Sequence, residues 1–379
     1  MKKFLFPALT MAMAFVATSC SSDEPGVAPE GNFTPTETQT VTFNISNPDG
    51  GIRSRGQDAN GWFGDGLDAE ELQYCVYERR DDGIVNILVS SNGTSAPKPV
   101  KSNKGTTNSW DLSLRIPADV KWDAYFYADY YGKSTPKDLL KHNMKIEWDK
   151  ERLHFYDNFG YPEDHLDTTD AFFGVKSCES YADDIKNGEK STVSLKRPLM
   201  QVNVLSNECD YGYSSVLPIP PSISMQFSNG AEVGIPEFYY FKEDRLTFKN
   251  GGIDYGLSES NIDYYNKISY NGKQYDLFFM GYFLAPKTSS TNSTDWPTAP
   301  NSLLFDLEVR KGPVRISKSF SVPFSSLSVN PYTQNSRVVI YADASDGDGF
   351  IADNATFHID VSSSFENDGA INGTGVEYN

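Results

Sequence analysis

The sequence predicts an all-β protein, and its composition, its alternating patterns and its length support this prediction. Tyr and Phe, which favour strands, number 22 and 24 among 379 residues. Short runs with alternating apolar residues recur along the chain, and clusters of Gly, Pro, Asn and Asp separate them. The chain is longer than one core usually serves and has no repeat of fixed period, so two β-sandwich domains in tandem are expected.

The stretch 192–204 is the most informative strand pattern, because its alternation changes parity in the middle. Apolar residues occupy odd positions before Pro198 and even positions after it: Val193, Leu195, Met200, Val202 and Val204. Side chains alternate between the two faces of a strand, so this switch predicts either a β-bulge or a strand that changes sheets. Both are features of sandwiches.

Alternation predicts the remaining strands as well. They lie at 41–45, 72–77, 84–89, 110–116, 125–131, from 171 onwards, and at 223–227, 238–241, 276–284, 303–309, 316–322, 337–342 and 356–361. The Asp-Asp-Gly sequence at 81–83 predicts a hairpin. Aromatic residues on both parities at 125–131 predict a strand buried on both faces. A helix is predicted over 137–148, where Leu139, Leu140 and Met144 share one side.

The N-terminus predicts a lipoprotein signal peptide over residues 1–19. Lys2 and Lys3 precede an apolar segment too short to span a bilayer, and small residues lead to Cys20. Cleavage between Ser19 and Cys20, with acylation of Cys20, is therefore expected, and an ordinary secretory peptide is the alternative. Residues 20–39, rich in Pro, Thr, Glu and Gly, are expected to form a flexible tether.

Charge and motifs argue against several classes of function. A net charge of −18 argues against a nucleic-acid partner, because phosphate contacts require a basic surface. The four histidines lack metal-ligand spacing, and nucleophile, phosphate-loop and dinucleotide motifs are absent, so neither an enzyme nor a cofactor is expected. Asp346, Asp348 and Asp353 alternate with glycines as calcium ligands do, although an Asp/Gly hairpin explains them at least as well.

The cysteine pattern does not predict a disulfide framework of the kind that small secreted domains have. Without Cys20, the chain has Cys75, Cys178 and Cys209, an odd number that allows at most one disulfide. Free thiols that pack as small apolar residues are the expected state.

Four features in chain order resemble the fimbrillin-like lipoproteins of Bacteroidales, which are subunits and accessories of type V surface fimbriae. Besides the lipoprotein signal, they are Asp-Ala-Phe-Phe-Gly at 170–174 with Leu-Lys-Arg-Pro-Leu-Met-Gln-Val-Asn-Val at 195–204, Phe-Phe-Met-Gly-Tyr-Phe-Leu-Ala-Pro at 278–286, and Val-Asn-Pro-Tyr-Thr-Gln-Asn-Ser-Arg-Val-Val-Ile-Tyr at 329–341. The distribution of strands places the two domains at 40–232 and 233–379, with a boundary near 229–236, and the resemblance implies that both are transthyretin-like β-sandwiches.

The resemblance also implies a route of assembly, donor-strand exchange. An arginine-specific protease cuts after the first strand in this family, and Arg55 fits the usual spacing slightly better than Arg53. Two solvated arginines in a turn are an equally good interpretation. A neighbouring subunit then adds an extended segment in place of the lost strand. The inward residues of the lost strand would be Val41, Phe43 and Ile45. Its replacement, or else a fixed edge strand of the second domain, would present Phe357, Ile359 and Val361.

The function implied is therefore a structural or adhesive subunit of cell-surface fimbriae, exported as a lipoprotein to the outer membrane. Its partners would be other fimbrial subunits and a host protein or glycan, and its stalk, tip or anchor position stays open. Asp167-Thr168-Thr169 resembles a Bacteroidetes O-glycosylation pattern, which would place a glycan on Thr168. The alternative is a surface glycan-binding lipoprotein that does not polymerise and that uses exposed aromatics among Trp62, Phe63, Trp122 and Trp296, although core packing is the commoner fate of such residues.

Overall fold

The computed structural model describes residues 37–46, 71–80, 86–91, 100–101, 108–129, 144–155, 171–206, 222–250, 252–256, 267–287, 300–311, 314–327, 331–343 and 356–362. Their strands are β1 Thr38–Ser46, β2 Glu71–Glu78, β3 Asn86–Ser90, β4 Val100–Lys101, β5 Asn108–Pro117, β6 Trp122–Asp129, β7 Met144–Glu147, β8 Arg152–Phe155, β9 Ala171–Ser177, β10 Thr192–Ser194, β11 Leu199–Ser206, β12 Ser222–Ser228, β13 Val233–Tyr240, β14 Arg245–Asn250, β15 Ile253–Gly256, β16 Lys267–Tyr270, β17 Lys273–Leu284, β18 Ser302–Lys311, β19 Val314–Pro323, β20 Arg337–Asp343 and β21 Thr356–Ser362. One α-helix, α1, spans Cys178–Lys186 within these ranges. The all-β prediction is therefore confirmed.

The described strands form four sheets that make two sandwiches. In the first sandwich the strand orders are β10-β1-β5-β4 and β3-β2-β6-β9, and side chains from both sheets share one apolar cluster, the first cluster. In the second sandwich the orders are β16-β17-β11-β20-β21 and β19-β18-β12-β13-β8-β7, with β14 beside β13 and β15 beside β12. These two sheets meet in a larger second cluster.

The parity switch at Pro198 marks a change of sheet. Before the proline, β10 pairs in parallel with β1, whereas β11 after it pairs with β17 and β20. The odd residues Val193 and Leu195 accordingly lie in the first cluster, and the even residues from Met200 onwards lie in the second. Since β11 and β12 belong to the second sandwich, this crossing precedes the domain boundary that we predicted near 229–236, which itself stays a prediction.

Strand β6 is buried on both faces, as the aromatic pattern at 125–131 predicted, and its sheet β3-β2-β6-β9 contributes side chains to both apolar clusters. One face contributes Leu72, Val76, Ala124, Phe126, Ala128 and Phe172 to the first cluster, and the other contributes Cys75, Tyr77, Tyr125, Tyr127 and Phe173 to the second. Phe241 lies against this second face, with its ring centroid 5.0 Å from that of Tyr125 and 5.1 Å from that of Phe173. Apolar packing is therefore continuous from one sandwich to the other.

The helix predicted over 137–148 is wrong for residues 144–148. Met144 and Ile146 are buried while Lys145 is exposed, and β7 pairs with β8 in a short antiparallel hairpin. A 3-10 turn at Trp148–Lys150 joins the two strands. The apolar spacing that suggested a helix is satisfied here by strand alternation, and tertiary pairing decides between the two. Residues 137–143 lie outside the described part of the chain.

Two motif glycines occupy positions where a side chain has no room. A Cβ atom on Gly174 would lie 2.8 Å from Leu195 Cδ2, and one on Gly281 would lie 2.7 Å from Phe279 Cε1. Contacts this short mean that a side chain at either position would have to displace the buried neighbouring side chain.

A buried polar network lies in the five-stranded sheet, beside the second cluster. Gln201 and Asn203 are fully buried and Arg337 is 3% exposed. Arg337 Nε and Asn203 Nδ2 donate to Gln201 Oε1 at 2.8 and 3.1 Å, and Gln201 Nε2 donates to Tyr282 Oη at 3.0 Å. The network thus joins three adjacent strands, β17, β11 and β20, in one register.

Candidate strand-exchange site

Strand β1 lies inside its sheet and has a different neighbour on each side. It pairs antiparallel with β5 along its whole length, from Thr38 opposite Pro117 to Ser46 opposite Ser109. On the other side it pairs in parallel with β10 only at Asn44–Ser46. The predicted first strand is therefore confirmed, and in this structure it is held by main-chain bonds on both sides at its C-terminal end.

The inward side chains of β1 fill the first cluster. Val41, Phe43 and Ile45 are 1%, 0% and 0% exposed. The Phe43 ring meets Trp122 edge-on with centroids 5.9 Å apart, and it lies 5.2 Å from Phe126. These three residues were predicted as the inward side of the first strand, and their burial is confirmed.

The outward side chains of β1 are polar and pair with β5. Asn44 Nδ2 donates to Asp111 Oδ1 at 2.9 Å, and the Thr42 and Ser113 hydroxyl oxygens are 3.2 Å apart. Both interactions are solvent-exposed, so each adds little to stability. The strand is thus defined by its alternation and by its backbone, which are the two properties that another extended segment can reproduce.

On the side of β1 where β10 pairs with its C-terminal end, a tyrosine side chain contacts the N-terminal half. The Asn44 N–H donates to the Ser191 carbonyl on the β10 side at 2.9 Å, and strand alternation turns the Thr42 N–H to the same side. That N–H donates to the Tyr181 hydroxyl at 3.3 Å, beyond the end of β10. The Tyr181 hydroxyl therefore takes the place of a strand carbonyl.

Tyr181 belongs to α1, and α1 is fixed to the first sandwich at both ends. At its start the Ser177 hydroxyl accepts the Ser180 N–H at 3.1 Å, and the Glu179 carboxylate lies 2.8 Å from Arg79. At its end Asp184 forms an ion pair with Lys176 at 2.6 Å. The helix therefore holds Tyr181 against β1 by contacts that do not involve β1 itself.

The carboxylates that anchor α1 are stabilised in their charged form. Its own backbone N–H, the Cys178 side chain and Arg79 lower the pKa of Glu179 to about 2, and Lys176 lowers the pKa of Asp184. Both pKa values are depressed, so the stabilisation of the folded state by each ion pair is complete above the ordinary carboxyl pKa, 4.5 for Glu179 and 3.8 for Asp184. It is lost only as the pH falls below these values.

The strand β21 is the outer strand of the five-stranded sheet. It pairs with β20 along its length, from Thr356 opposite Asp343 to Ser362 opposite Arg337, and Ile359 is 2% exposed. On the other face Tyr270 Oη donates to Asp360, and burial followed by this hydrogen bond raises the pKa of Tyr270 far above its ordinary value. Here 356–362 is thus an edge strand, and its use as a donor remains a prediction.

Many predicted sites lie outside the described residues: Ser19, Cys20, Arg53, Arg55, Thr168, Asp346, Asp348, Asp353, Cys209, Trp62, Phe63 and Trp296. Cys75 and Cys178 are free thiols, and burial raises the pKa of the Cys75 thiol to about 12. Trp122 is 2% exposed and packs in the core, so it does not contribute to a surface platform. The described part of the chain has no group of metal-ligating side chains and no helix long and apolar enough to cross a membrane.

Sequence reasoning missed α1 and Tyr181. The helix is mostly polar, and its apolar signal is limited to Cys178, Tyr181 and Ile185, of which Ile185 is 51% exposed. The available signals were Ser177 as a helix N-cap and the spacing of four residues between Tyr181 and Ile185.

No family model and no curated protein matches the chain. Solved structures do match. A proposed cell adhesion protein from Bacteroides eggerthii has a TM-score of 0.40 and 11% identity, covering 88% of this chain and 98% of its own. A fimbrial assembly protein from Parabacteroides distasonis has a TM-score of 0.38 and 11% identity, and the match covers 86% of this chain and 96% of that protein. The fimbrial anchor protein Mfa2 from Porphyromonas gingivalis has a TM-score of 0.34 and 9% identity, and the match covers 85% of this chain and 97% of that protein. At such TM-scores the backbones agree too loosely for function to be transferred.

Proposed function

We propose that this protein is a structural or adhesive subunit of cell-surface fimbriae that assembles by strand exchange at the β1 site. The observation that supports this most is the setting of β1. Its inward side chains are buried, β5 pairs with it along its whole length, and β10 pairs on the other side only at Asn44–Ser46, beyond which Tyr181 accepts the Thr42 N–H. The sequence that follows contains Arg53 and Arg55, either of which an arginine-specific protease would cut.

Loss of β1 would leave the first sandwich strongly destabilised. Burial contributes about 1.5–3 kcal/mol for each large apolar side chain, so Val41, Phe43 and Ile45 together contribute on the order of 5–9 kcal/mol. That sum is comparable with the whole stability of an ordinary domain, about 5–15 kcal/mol. A chain that has lost β1 therefore gains much by accepting a strand with the same alternation from a neighbour.

The sequence of β21 repeats the centre of β1. Thr42-Phe43-Asn44-Ile45 in β1 corresponds to Thr356-Phe357-His358-Ile359 in β21. To act as a donor, β21 would have to leave β20 and break the Tyr270–Asp360 hydrogen bond. We propose that β21 opens in this way when it serves as the donor for a neighbouring copy, whereas a β21 that stays in place would make this protein an accepting tip, anchor or accessory subunit.

In this proposal, the N-terminal sequence determines how the protein is exported and where it is anchored. Cleavage before Cys20 and its acylation would anchor the precursor in the outer membrane, with the sandwiches at the cell surface. Other fimbrial subunits are the proposed partners, and a host protein or glycan is the proposed ligand of an adhesive role. O-glycosylation at Thr168 and calcium at Asp346, Asp348 and Asp353 remain predictions, the latter with an Asp/Gly turn as its alternative.

The glycan-binding alternative has less support among the described residues. Phe238 and Tyr240 are half-buried aromatic side chains on one strand. The Arg152 guanidinium lies 3.6 Å from the Phe238 ring centroid, and that of Arg245 lies 3.8 Å from the Tyr240 centroid. Since guanidinium groups already stack on these rings, they offer poor platforms for a sugar.

Digestion of the folded, unlipidated chain, residues 21–379, with an arginine-specific protease tests this function. We expect one cut after Arg55 or Arg53, release of the segment containing β1, and the appearance of oligomers, measured by N-terminal sequencing and size-exclusion chromatography. The variant with Arg53→Lys and Arg55→Lys is the matched control and should remain uncut and monomeric. A cut chain that keeps β1 and remains monomeric, or a chain resistant at both arginines, would contradict activation by cleavage.

A further inference from the structure

We infer that α1 is a specificity element of the strand-accepting site, and that its Tyr181 selects incoming strands with an aromatic residue at the Phe43 position. This inference depends on the proposed strand exchange and names the chemistry of the partner segment. It assigns a role to the one α-helix in the described part of the chain, a helix that strand pairing alone does not require.

The Phe43 side chain lies in a pocket that α1 closes. Trp122 and Phe126 of β6 form its inner wall, and the Tyr181 ring lies 5.5 Å from that of Phe43 and 5.7 Å from that of Trp122. Such tilted contacts favour an aromatic ring over an aliphatic chain of similar volume. A strand with leucine at this position would leave part of the pocket unfilled and would lose three ring contacts.

The Tyr181 hydroxyl adds a requirement on the backbone of the incoming strand. It accepts the N–H of Thr42, the residue immediately before the aromatic one. A segment shifted by one residue would turn its apolar side chains to solvent, and one shifted by two would place an aliphatic residue in the pocket. Proline immediately before the aromatic residue would remove the donor. Ring and hydroxyl together therefore fix the register.

The partner segment predicted by this geometry is extended, with an aromatic residue at its centre. Two residues before and two residues after it, aliphatic side chains would replace Val41 and Ile45. The residue before the aromatic one can be any except proline, because Thr42 is exposed and contributes its N–H. We expect a segment of this kind in another fimbrial subunit.

Peptide exchange into the complete cut chain tests the inference. The probes are a fluorescent peptide with the sequence of Thr38–Ser46, its Phe43→Leu version, and a version with an ester in place of the amide that carries the Thr42 N–H. Four proteins are compared: the natural chain, Tyr181→Phe, which keeps the ring, Tyr181→Ala, and, as a control, Ile185→Ala at an exposed position of the same helix. Fluorescence anisotropy at equilibrium gives each relative affinity.

We expect the Phe43→Leu peptide to bind the natural chain about tenfold to a hundredfold more weakly than the parent peptide. Tyr181→Ala should reduce that discrimination. The natural chain should bind the ester peptide, and Tyr181→Phe should bind the parent peptide, about threefold to tenfold more weakly than the natural chain binds the parent. The affinity of Tyr181→Phe for the ester peptide should be no lower than either of these, because both changes remove the same hydrogen bond. Ile185→Ala should bind every peptide as the natural chain does.

The outcomes separate this inference from the proposed function. If the natural chain does not take up even the parent peptide, strand exchange at this site is wrong. If it takes up the parent, leucine and ester peptides equally well, strand exchange stands and selection by α1 is overturned. The same conclusion follows if Tyr181→Phe and Tyr181→Ala bind the peptides as the natural chain does.

Discussion

Replacing Phe43 with alanine is expected to lower the free energy of unfolding of the first sandwich by about 3–5 kcal/mol. The Phe43 side chain is 0% exposed and contacts the rings of Trp122, Phe126 and Tyr181. These rings come from a central strand and from a helix fixed at both ends, so they have little freedom to close the cavity that the substitution leaves. The cost should therefore lie in the upper part of the range for aromatic truncations.

Urea denaturation followed by tryptophan fluorescence measures this effect, because Trp110 and Trp122 lie in the same cluster as Phe43. Thr40→Ala is the matched control, since Thr40 is an exposed residue of the same strand and its loss should change stability by less than about 0.5 kcal/mol. A Phe43→Ala chain within 1 kcal/mol of the natural protein would show that β1 is not a main source of stability, contrary to the proposal.

Replacing Gln201 with leucine is expected to destabilise the second sandwich by about 2–4 kcal/mol. Three buried groups lose a partner at once, because Gln201 accepts from Arg337 and Asn203 and donates to Tyr282. Arg337 carries a charge and is 3% exposed, so removal of an acceptor from it is the costliest of the three changes.

The control for this prediction is the double variant Gln201→Leu, Arg337→Leu. Replacing both partners with apolar groups also removes the guanidinium donor that loses its Gln201 acceptor, so the double variant should be more stable than the sum of the two single losses. Denaturant titrations of the natural chain, Gln201→Leu, Arg337→Leu and the double variant give the coupling energy between the two side chains. Strictly additive losses would mean that Gln201 and Arg337 act independently and that their hydrogen bond does not hold the strands in register.

The sequence was sufficient where one buried face dominates the pattern. The alternation at 41–45 identifies β1 and its inward residues, and the parity switch at Pro198 marks the crossing between sandwiches. Aromatic residues on both parities identify β6 as a strand buried on both faces. In each case side-chain burial with a period of two residues leaves a direct trace in the sequence.

The parts that could not be predicted depend on contacts between distant residues. Residues 144–148 have an apolar spacing that suits a helix, and only the pairing of β7 with β8 decides for a strand. Helix α1 buries little of its own surface, so its sequence contains only two weak signals, the Ser177 cap and the four-residue spacing of Tyr181 and Ile185. The pocket around Phe43 combines β1, β6 and α1, which are separated by up to 139 residues, and no local pattern reveals it.

A reversible disulfide between β1 and β5 tests strand exchange most directly. Thr42 and Ser113 face each other on exposed positions, and the Thr42 N–H points away from β5, so cysteines at both sites should form an unstrained disulfide. In a background with Cys178→Ser and Cys209→Ser, we predict that the oxidised T42C, S113C chain stays monomeric after arginine-specific cleavage. Reduction of the same sample should release β1 and start assembly. Oligomers that form equally well with the disulfide closed would contradict the claim that β1 must leave for a neighbour to bind.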